Sequence, residues 1–429
     1  MKGILIRFMQ KRLPFFYGWM IVITMAIVTM AQTASFNPVL GIFLKPITAE
    51  FEWSRATFAG AISVGTISGG FFSIVVGPLL DKFGPRWILF LAFFFIGWAI
   101  LGLSFIQELW HFYGVIISMR TIVSGVIAMS VGVVISKWFI DRRGRAQALA
   151  STGTRIGNSF MPLYVQTLIS GYGWRVGAMG LGILTWSVTL IPTILFLRRR
   201  PEDLGLVPDG NTDRVDGNTE NERASSKLDL SLDRKQAMRT PAFYFILFAT
   251  SSLYYGGAGI NFNLFPFFTD QGIDPDTAVR VMTTWALISA VGGLLVGFFA
   301  EKIHVRFLMS GIIIIVSLGI GLLSFVNNAR TAYLFAFAHG IPWGGIPMLQ
   351  QLVWADYFGR ESQGAIRGVT TPVQMLMNAM GPLTTTLIFD ATGSYEAIFR
   401  IFAVGFLFAG LILLLAKPPN LVEITNSQN

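Results

Sequence analysis

Twelve stretches of this 429-residue chain are each apolar over the length of a membrane-spanning helix, and that recurrence limits the chain more than any motif does. They fall at about 17–44, 55–79, 87–106, 110–138, 146–170 and 176–197, then at 241–269, 277–300, 306–325, 331–355, 365–389 and 395–416. A bilayer core about 30 Å thick is crossed by roughly 20 helical residues, and without water the backbone has to satisfy its own polar groups. Only 13% of the residues are charged, against about 25% in soluble domains, so the chain cannot cover a water-facing surface of its size. That excludes a soluble enzyme, a nucleic-acid binder and a secreted disulfide scaffold, despite the net charge of +9. The absence of Cys removes disulfides and thiolate metal sites. The basic start, MKGILIRFMQKRLPFFYGW, runs into an apolar stretch too long for a signal-peptide core and reads as an uncleaved first span.

Charge placement divides and orients the chain. Residues 198–240 hold nine Lys/Arg and nine Asp/Glu, and Asp209–Ser226 within them lacks large apolar residues apart from Val215. This polar segment reads as a flexible cytoplasmic linker between bundles at 1–197 and 241–429, the second ending in a short cytoplasmic tail. With both termini cytoplasmic, 24 Lys/Arg fall inside and five outside: Lys45, Arg55, Arg175, Arg280 and Arg330. Cytoplasmic loops carry the excess of basic residues, so the bias predicts N-in and C-in.

The halves repeat. A shift of 220 carries Gly77, Asp81 and Arg86 onto Gly297, Glu301 and Arg306, each in the loop after the second span of its half. A shift of 215 carries Asp141, Gly144 and Arg145 onto Asp356, Gly359 and Arg360, after the fourth span. The shift of 220 also matches Asn158 and Pro162 with Asn378 and Pro382 in the fifth spans. Two parallel six-helix repeats about an axis along the membrane normal characterise one transporter architecture. The expected fold is an all-α membrane protein of 12 transmembrane helices in two pseudo-symmetric six-helix bundles.

GPLLDKFGPR at 77–86 resembles the loop motif G-x-L-x-D-x-x-G-x-R of the major facilitator superfamily. FFYGW (15–19), FEWSRAT (51–57), WFIDRRGRAQAL (138–149) and RRRPEDLGLVPDG (198–210) are similar to its bacterial branch related to monocarboxylate transporters and oxalate/formate exchangers. The resemblance covers essentially the whole chain and implies the major facilitator fold. It also implies an inside latch between helices, formed by Asp81 and Arg86 with Arg145 as a gating partner; simple topology is the other reading for the arginines. One departure stands out. Monocarboxylate transporters carry an Arg in helix 8, four residues before a Gly; here Gly293 occupies that place, with Gly297 and Glu301 at the matching spacings.

Two arginines carry most of the functional signal. Arg120 and Arg155 each lie about ten residues inside a span, roughly 15 Å deep at 1.5 Å per residue. A midplane Arg costs a few kcal/mol and has to face a cavity or a partner. Every Asp and Glu falls in a loop, the linker, the tail or at a span end, so an anionic substrate is the candidate counter-ion. The competing reading of Arg120 is the superfamily's helix-4 R-x-x-x-G motif, matched imperfectly because Gly125 stands at +5; for Arg155 it is pairing with backbone carbonyls and water. His339 in AFAHGIPWGG is the one His set deep in a span, suited to proton coupling, to binding a carboxylate, or to packing. Asn158, Asn263, Gln374 and Asn378 are candidate substrate amides, with interhelical hydrogen bonding as the alternative. Asn37 and Asn261 fit the same description. Pro38, Pro266, Pro342 and Pro347 break helical hydrogen bonds near a cavity or a bend. Gly65-x-x-x-Gly69 and Gly293-x-x-x-Gly297 read as close helix contacts.

There is no phosphate loop, metal-ligand cluster or nucleophile–His pair, so no enzyme activity, cofactor or metal is expected. The sequence supports a secondary active transporter of a small organic anion, working by alternating access and driven by proton symport or anion exchange. It is expected to be monomeric in the bacterial inner (plasma) membrane, with the lipid bilayer, the substrate and a proton or counter-anion as partners and no nucleic acid. A drug or organic-cation/proton antiporter of the same fold, a transporter-like sensor, and a lipid scaffold or flippase are the alternatives. The first lacks the intramembrane carboxylate such exchange needs.

Overall fold

A computed structural model of the protein describes residues 16–139, 142–207, 232–300, 302–359 and 363–418. Asp209–Ser226, Asp141, Glu301 and Arg360 lie outside them, as does the side chain of Asp81. Helices occupy all twelve expected stretches. Span one is α1 (Gly18–Gln32), a 3₁₀ turn at Thr33–Ser35 and α2 (Asn37–Phe51); spans two and three are α3 (Arg55–Phe83) and α4 (Pro85–Leu103). Span four is α5 (Leu109–Ile122), a π turn at Val123–Ile127 and α6 (Ala128–Trp138), followed by α7 (Arg143–Tyr172) and α8 (Trp174–Phe196). After the short α9 (Arg234–Met238), spans seven to twelve are α10 (Pro241–Asp270), α11 (Pro275–Ala300), α12 (Val305–Gly321), α13 (Ala329–Phe358), α14 (Gln363–Thr392) and α15 (Glu396–Leu415). No strand occurs among the described residues.

Eight of these, spans one to four, six, eight, nine and twelve, are apolar enough to cross a membrane on length and composition alone. The other four, α7, α10, α13 and α14, are each 30 residues long and richer in Gly and polar residues. Those residues serve helix contacts within each bundle. In the first half α1 packs on α7, where a methyl group on Gly153 would fall 1.8 Å from the Ala26 carbonyl oxygen. In the second half α10 packs on α14, where one on Gly381 would fall 2.1 Å from the Tyr255 carbonyl oxygen. The pairs α4–α8 and α12–α15 correspond in the same way. Backbones this close exclude any side chain and replace it with dispersion contacts, the main cohesive force available in lipid.

Of the two glycine pairs read as close contacts, one holds and one shifts. Gly65 and Gly69 of α3 meet α5 and the π turn: a methyl group on Gly65 would stand 2.7 Å from the Arg120 Cβ, and one on Gly69 would stand 2.6 Å from the Ser124 Cβ. In α11 the contact uses Gly292, where a methyl group would fall 2.0 Å from the Ile341 carbonyl oxygen, whereas one on Gly297 would meet only the Met348 sulfur at 3.8 Å. Gly293 is buried, and its backbone nitrogen faces Gly344 of α13.

The chain forms two compact units, Met1–Val39 with Gly65–Gly217, and Leu40–Val64 with Asn218–Asn429. Hydropathy divides the chain at the linker; packing in addition places the segment 40–64, the second part of span one and the start of span two, with the C-terminal helices.

Candidate functional site

In the first unit, a buried polar cluster is built around a break in span one. Pro38 has no N–H to offer the carbonyl one turn back, and the helix gives way to the 3₁₀ turn and an extended Phe36 (φ −84°, ψ 158°) before α2 begins at Asn37. The break frees the Ser35 carbonyl from helical bonding. Arg120 of α5 donates to it through Nη1 at 3.0 Å, and to the Thr66 hydroxyl of α3 through Nε at 3.2 Å and Nη2 at 2.8 Å. The side chain is only 6% exposed. A guanidinium has five N–H donors. Three are used here, all on neutral acceptors, which leaves one N–H on each Nη without an acceptor among the described residues.

The π turn immediately after α5 explains the spacing of the helix-4 motif. A π turn closes on the residue five back rather than four, accommodating one extra residue. Gly125, five residues after Arg120, therefore returns to the face that meets α3, and a methyl group there would stand 2.7 Å from the Gly69 carbonyl oxygen. Arg120 thus both packs at a close helix contact and presents a buried charge.

None of the other candidates shares in these three bonds. Arg155 is exposed on α7, and Asn158, one turn along, is half-buried. In the second unit Gln374 Nε2 donates to the Thr250 hydroxyl at 3.0 Å, joining α14 to α10, while Asn378 is half-buried. Asn263 is fully buried and gives its Nδ2 to Gly259 of its own helix at 2.9 Å. His339, 1% exposed, is stacked between Phe335 and Trp343 at ring separations of 5.0 and 5.2 Å. Its Nδ1 accepts the Trp285 indole N–H at 2.9 Å, which fixes the proton on Nε2. A second proton on Nδ1 would break that bond inside an aromatic stack. The geometry makes His339 an acceptor for Trp285 and weakens its case as a proton carrier. At the linker end, Arg86 lies over the Trp87 ring at 5.5 Å, and its repeat mate Arg306 lies over Phe307 at 4.5 Å and donates to the Ala416 carbonyl. Arg145 is exposed.

Sequence reasoning did not find Thr66, the Ser35 carbonyl or Trp285. The first sits inside Gly65-x-x-x-Gly69, and Asn37-Pro38 marks the second, so both left a trace; Trp285 left none.

The Major Facilitator Superfamily profile matches residues 15–382. Human monocarboxylate transporter 7 is 22% identical over 94% of this chain and 86% of its own length. The membrane sensor protein UhpC of Salmonella typhimurium is 25% identical over 70% of each chain. Among solved structures, a bacterial homolog of the human lysosomal transporter Spinster, inward-facing and unoccupied, matches with a TM-score of 0.67 and 15% identity over 96% of this chain and 95% of that one.

Proposed function

The chain belongs to the Major Facilitator Superfamily, and from that premise we propose that this multi-pass membrane transporter moves a small organic anion of the carboxylate type by alternating access. The observation that carries the reading is the buried Arg120 guanidinium with only neutral acceptors around it. Removing a cation from water is costly unless a charge or several strong acceptors compensate, and two of its N–H groups remain available to a ligand. A carboxylate takes two parallel N–H bonds from such a planar fork. The likeness to monocarboxylate transporter 7 supports the same substrate class.

In this reading Arg120 is the principal anion ligand. Arg155 is a second cation on the approach, and Asn158, Gln374 and Asn378 supply amides. His339 orients Trp285 and Trp343 rather than carrying the proton, and Asn263 stays within its own helix. The coupling ion is a proton or a counter-anion, the latch of Asp81, Arg86 and Arg145 closes the cytoplasmic side, and the membrane is the bacterial inner membrane.

The test is a thermal-shift screen of purified protein against mono- and dicarboxylates, since a ligand that binds only the folded state stabilises it by RT ln(1 + [L]/Kd). At least one carboxylate should raise the melting temperature of the parent and fail to do so for Arg120→Gln. If an organic cation raises both proteins equally, the anion reading is wrong.

A further inference from the structure

Spans one and five of the first unit meet over small residues, and the same residues leave a hollow beside the contact. Gly153 and Gly157 of α7 let α1 approach closely: a methyl group on Gly153 would fall 1.8 Å from the Ala26 carbonyl oxygen, and one on Gly157 would fall 2.6 Å from the Met30 carbonyl oxygen. Ala26 and Gly153 line the floor of the furrow between the helices and offer no more than one methyl group to fill it. Larger side chains wall it, Trp19, Ile23, Ile27 and Met30 from α1 with Leu149 and Ile156 from α7. The cavity measures about 420 Å³, within the range of roughly 300–1,000 Å³ that holds small organic ligands. Every residue that lines it belongs to the first unit.

The furrow is apolar. Its one hydroxyl, on Thr152, is spent on the Leu149 carbonyl of the same helix at 2.6 Å. A hydroxyl or keto group of a ligand placed there would lose water and gain no donor, whereas a hydrocarbon would gain from leaving water. Positive charge stands close by. Thr152, Arg155 and Ile156 are all exposed and, at spacings of three and four, share one face of α7. Along α1 the wall ends at Met30, and Ser35, whose carbonyl orients Arg120, is five residues further. That is roughly 8–9 Å at the rises of α and 3₁₀ helix. The second helix follows the first over this distance, since a methyl group on Gly157 would also fall 2.3 Å from the Thr33 hydroxyl oxygen in the 3₁₀ turn.

The geometry points to an amphipathic substrate: the anion carries a hydrocarbon body that lies in the α1–α7 furrow, while its carboxylate is held by Arg120 beyond Met30, with Arg155 at the rim. The inference rests on the anion reading and narrows it, from carboxylates in general to those with an alkyl or aryl-alkyl body, in place of small hydroxy or keto acids. Charge alone does not select between these. The furrow does, because each methylene it removes from water adds to affinity, and its walls have no hydrogen bond to offer a polar substituent.

The probes are butyrate, hexanoate, octanoate and the neutral 1-octanol, titrated calorimetrically onto the protein in nanodiscs of one lipid composition. Uptake of each probe by the lipid is then common to parent and variants. In the parent, Kd should fall about tenfold for each added pair of methylenes, which gives octanoate about a hundredfold advantage over butyrate. Ala26→Phe fills the furrow and should reduce that advantage to about threefold while leaving butyrate near its parent Kd. Ile156→Ser removes part of the wall at an exposed position and should reduce the advantage about fivefold; it decides the matter if Ala26→Phe is not monodisperse on size exclusion. The inference is overturned if octanoate binds the parent no tighter than butyrate, or if a folded variant keeps the full advantage. It is also overturned if 1-octanol binds as tightly as octanoate, which would make the furrow a seat for a lipid chain. The anion reading fails by a different result, equal binding of every acid to the parent and to Arg120→Gln whatever its length.

Discussion

Arg120 and Arg55 are both largely enclosed arginines at helix junctions, yet they answer the same electrostatic problem in opposite ways. Arg55 meets the fixed Asp270 carboxylate in parallel geometry, with the Phe389 ring below it and the Tyr395 hydroxyl beside it. Arg120 meets one hydroxyl and one backbone carbonyl, and nothing of opposite charge among the described residues. A charge whose counter-ion is built in holds two elements together and leaves no room for a ligand. A charge given only neutral acceptors is oriented but not neutralised, and it keeps an affinity for whatever anion enters. The contrast predicts that one arginine governs stability and the other binding.

The largest effect that tests this contrast is on substrate affinity. Arg120→Gln removes a charge-assisted contact worth about 1.5–3 kcal/mol, so Kd for the carboxylate should rise roughly ten- to hundredfold, measured by calorimetry on monodisperse protein. Arg55→Gln should move the same Kd by no more than a few-fold, and its cost should show as an earlier melt. Equal losses at both positions would erase the distinction drawn here.

Lysine sharpens the comparison at intermediate cost. Arg120→Lys keeps the charge but loses the planar fork, so binding should weaken by less than in Arg120→Gln while remaining measurable. Arg55→Lys can still pair with Asp270, and its melting temperature should fall between those of the parent and Arg55→Gln. If Arg120→Lys and Arg120→Gln bind equally poorly and both melt early, Arg120 is a packing residue of the close contact with Gly65 and no ligand.

How far the two nodes could be read from sequence differs for a physical reason. The twelve spans were legible because lipid demands long apolar helices, and Arg120 was legible because a charge inside such a run is costly. The π turn left its mark as Gly125 at +5, and Asn37-Pro38 announced the break that frees Ser35. The pairing of Arg55 with Asp270 spans 215 positions, and that of its backbone N–H with Asp390 spans 335. Hydropathy shows only that each of these residues ends a span. Nothing local tells a charge at a span end that pairs across the fold from one that faces water, and for that reason the placement of 40–64 with the C-terminal helices was not foreseen. His339 shows the limit of sequence reading in the other direction. Its type and depth suggested proton chemistry, and only the position of Trp285 revealed that its Nδ1 is occupied.

That histidine gives a third, smaller test. If His339 serves Trp285, His339→Gln should retain pH-driven accumulation of substrate within about twofold, because an amide oxygen can still accept the indole N–H. His339→Phe leaves that N–H buried and unbonded, which costs about 1–3 kcal/mol of stability and shows as an earlier melt. Abolished pH-driven accumulation in the Gln variant, with exchange intact, would return His339 to the role of proton carrier and give Arg120 a titrating companion.

The smallest expected effect is an absence of response, and it distinguishes a structural ion pair from a pH sensor. Two cations hold the Asp270 carboxylate, Arg55 through parallel bonds at 2.5 and 3.1 Å and Lys45 at 2.9 Å, and both favour its charged form. A carboxylate whose folded pKa is depressed adds stability that is present above its unfolded value, about 3.9, and is lost only as pH falls through the folded value. The pair should therefore stay intact across the range in which a proton gradient operates. The difference in melting temperature between the parent and Arg55→Gln should be flat from about pH 8 to pH 5 and shrink only below about pH 4. Salt should act more than protons do, because the pair is partly open to solvent, with side-chain exposures of 15% for Arg55 and 22% for Asp270. A difference that shrinks between pH 7 and pH 5 would mean that Asp270 titrates in place. The carboxylate node, rather than the arginine left without one, would then be where the proton gradient meets the transport cycle.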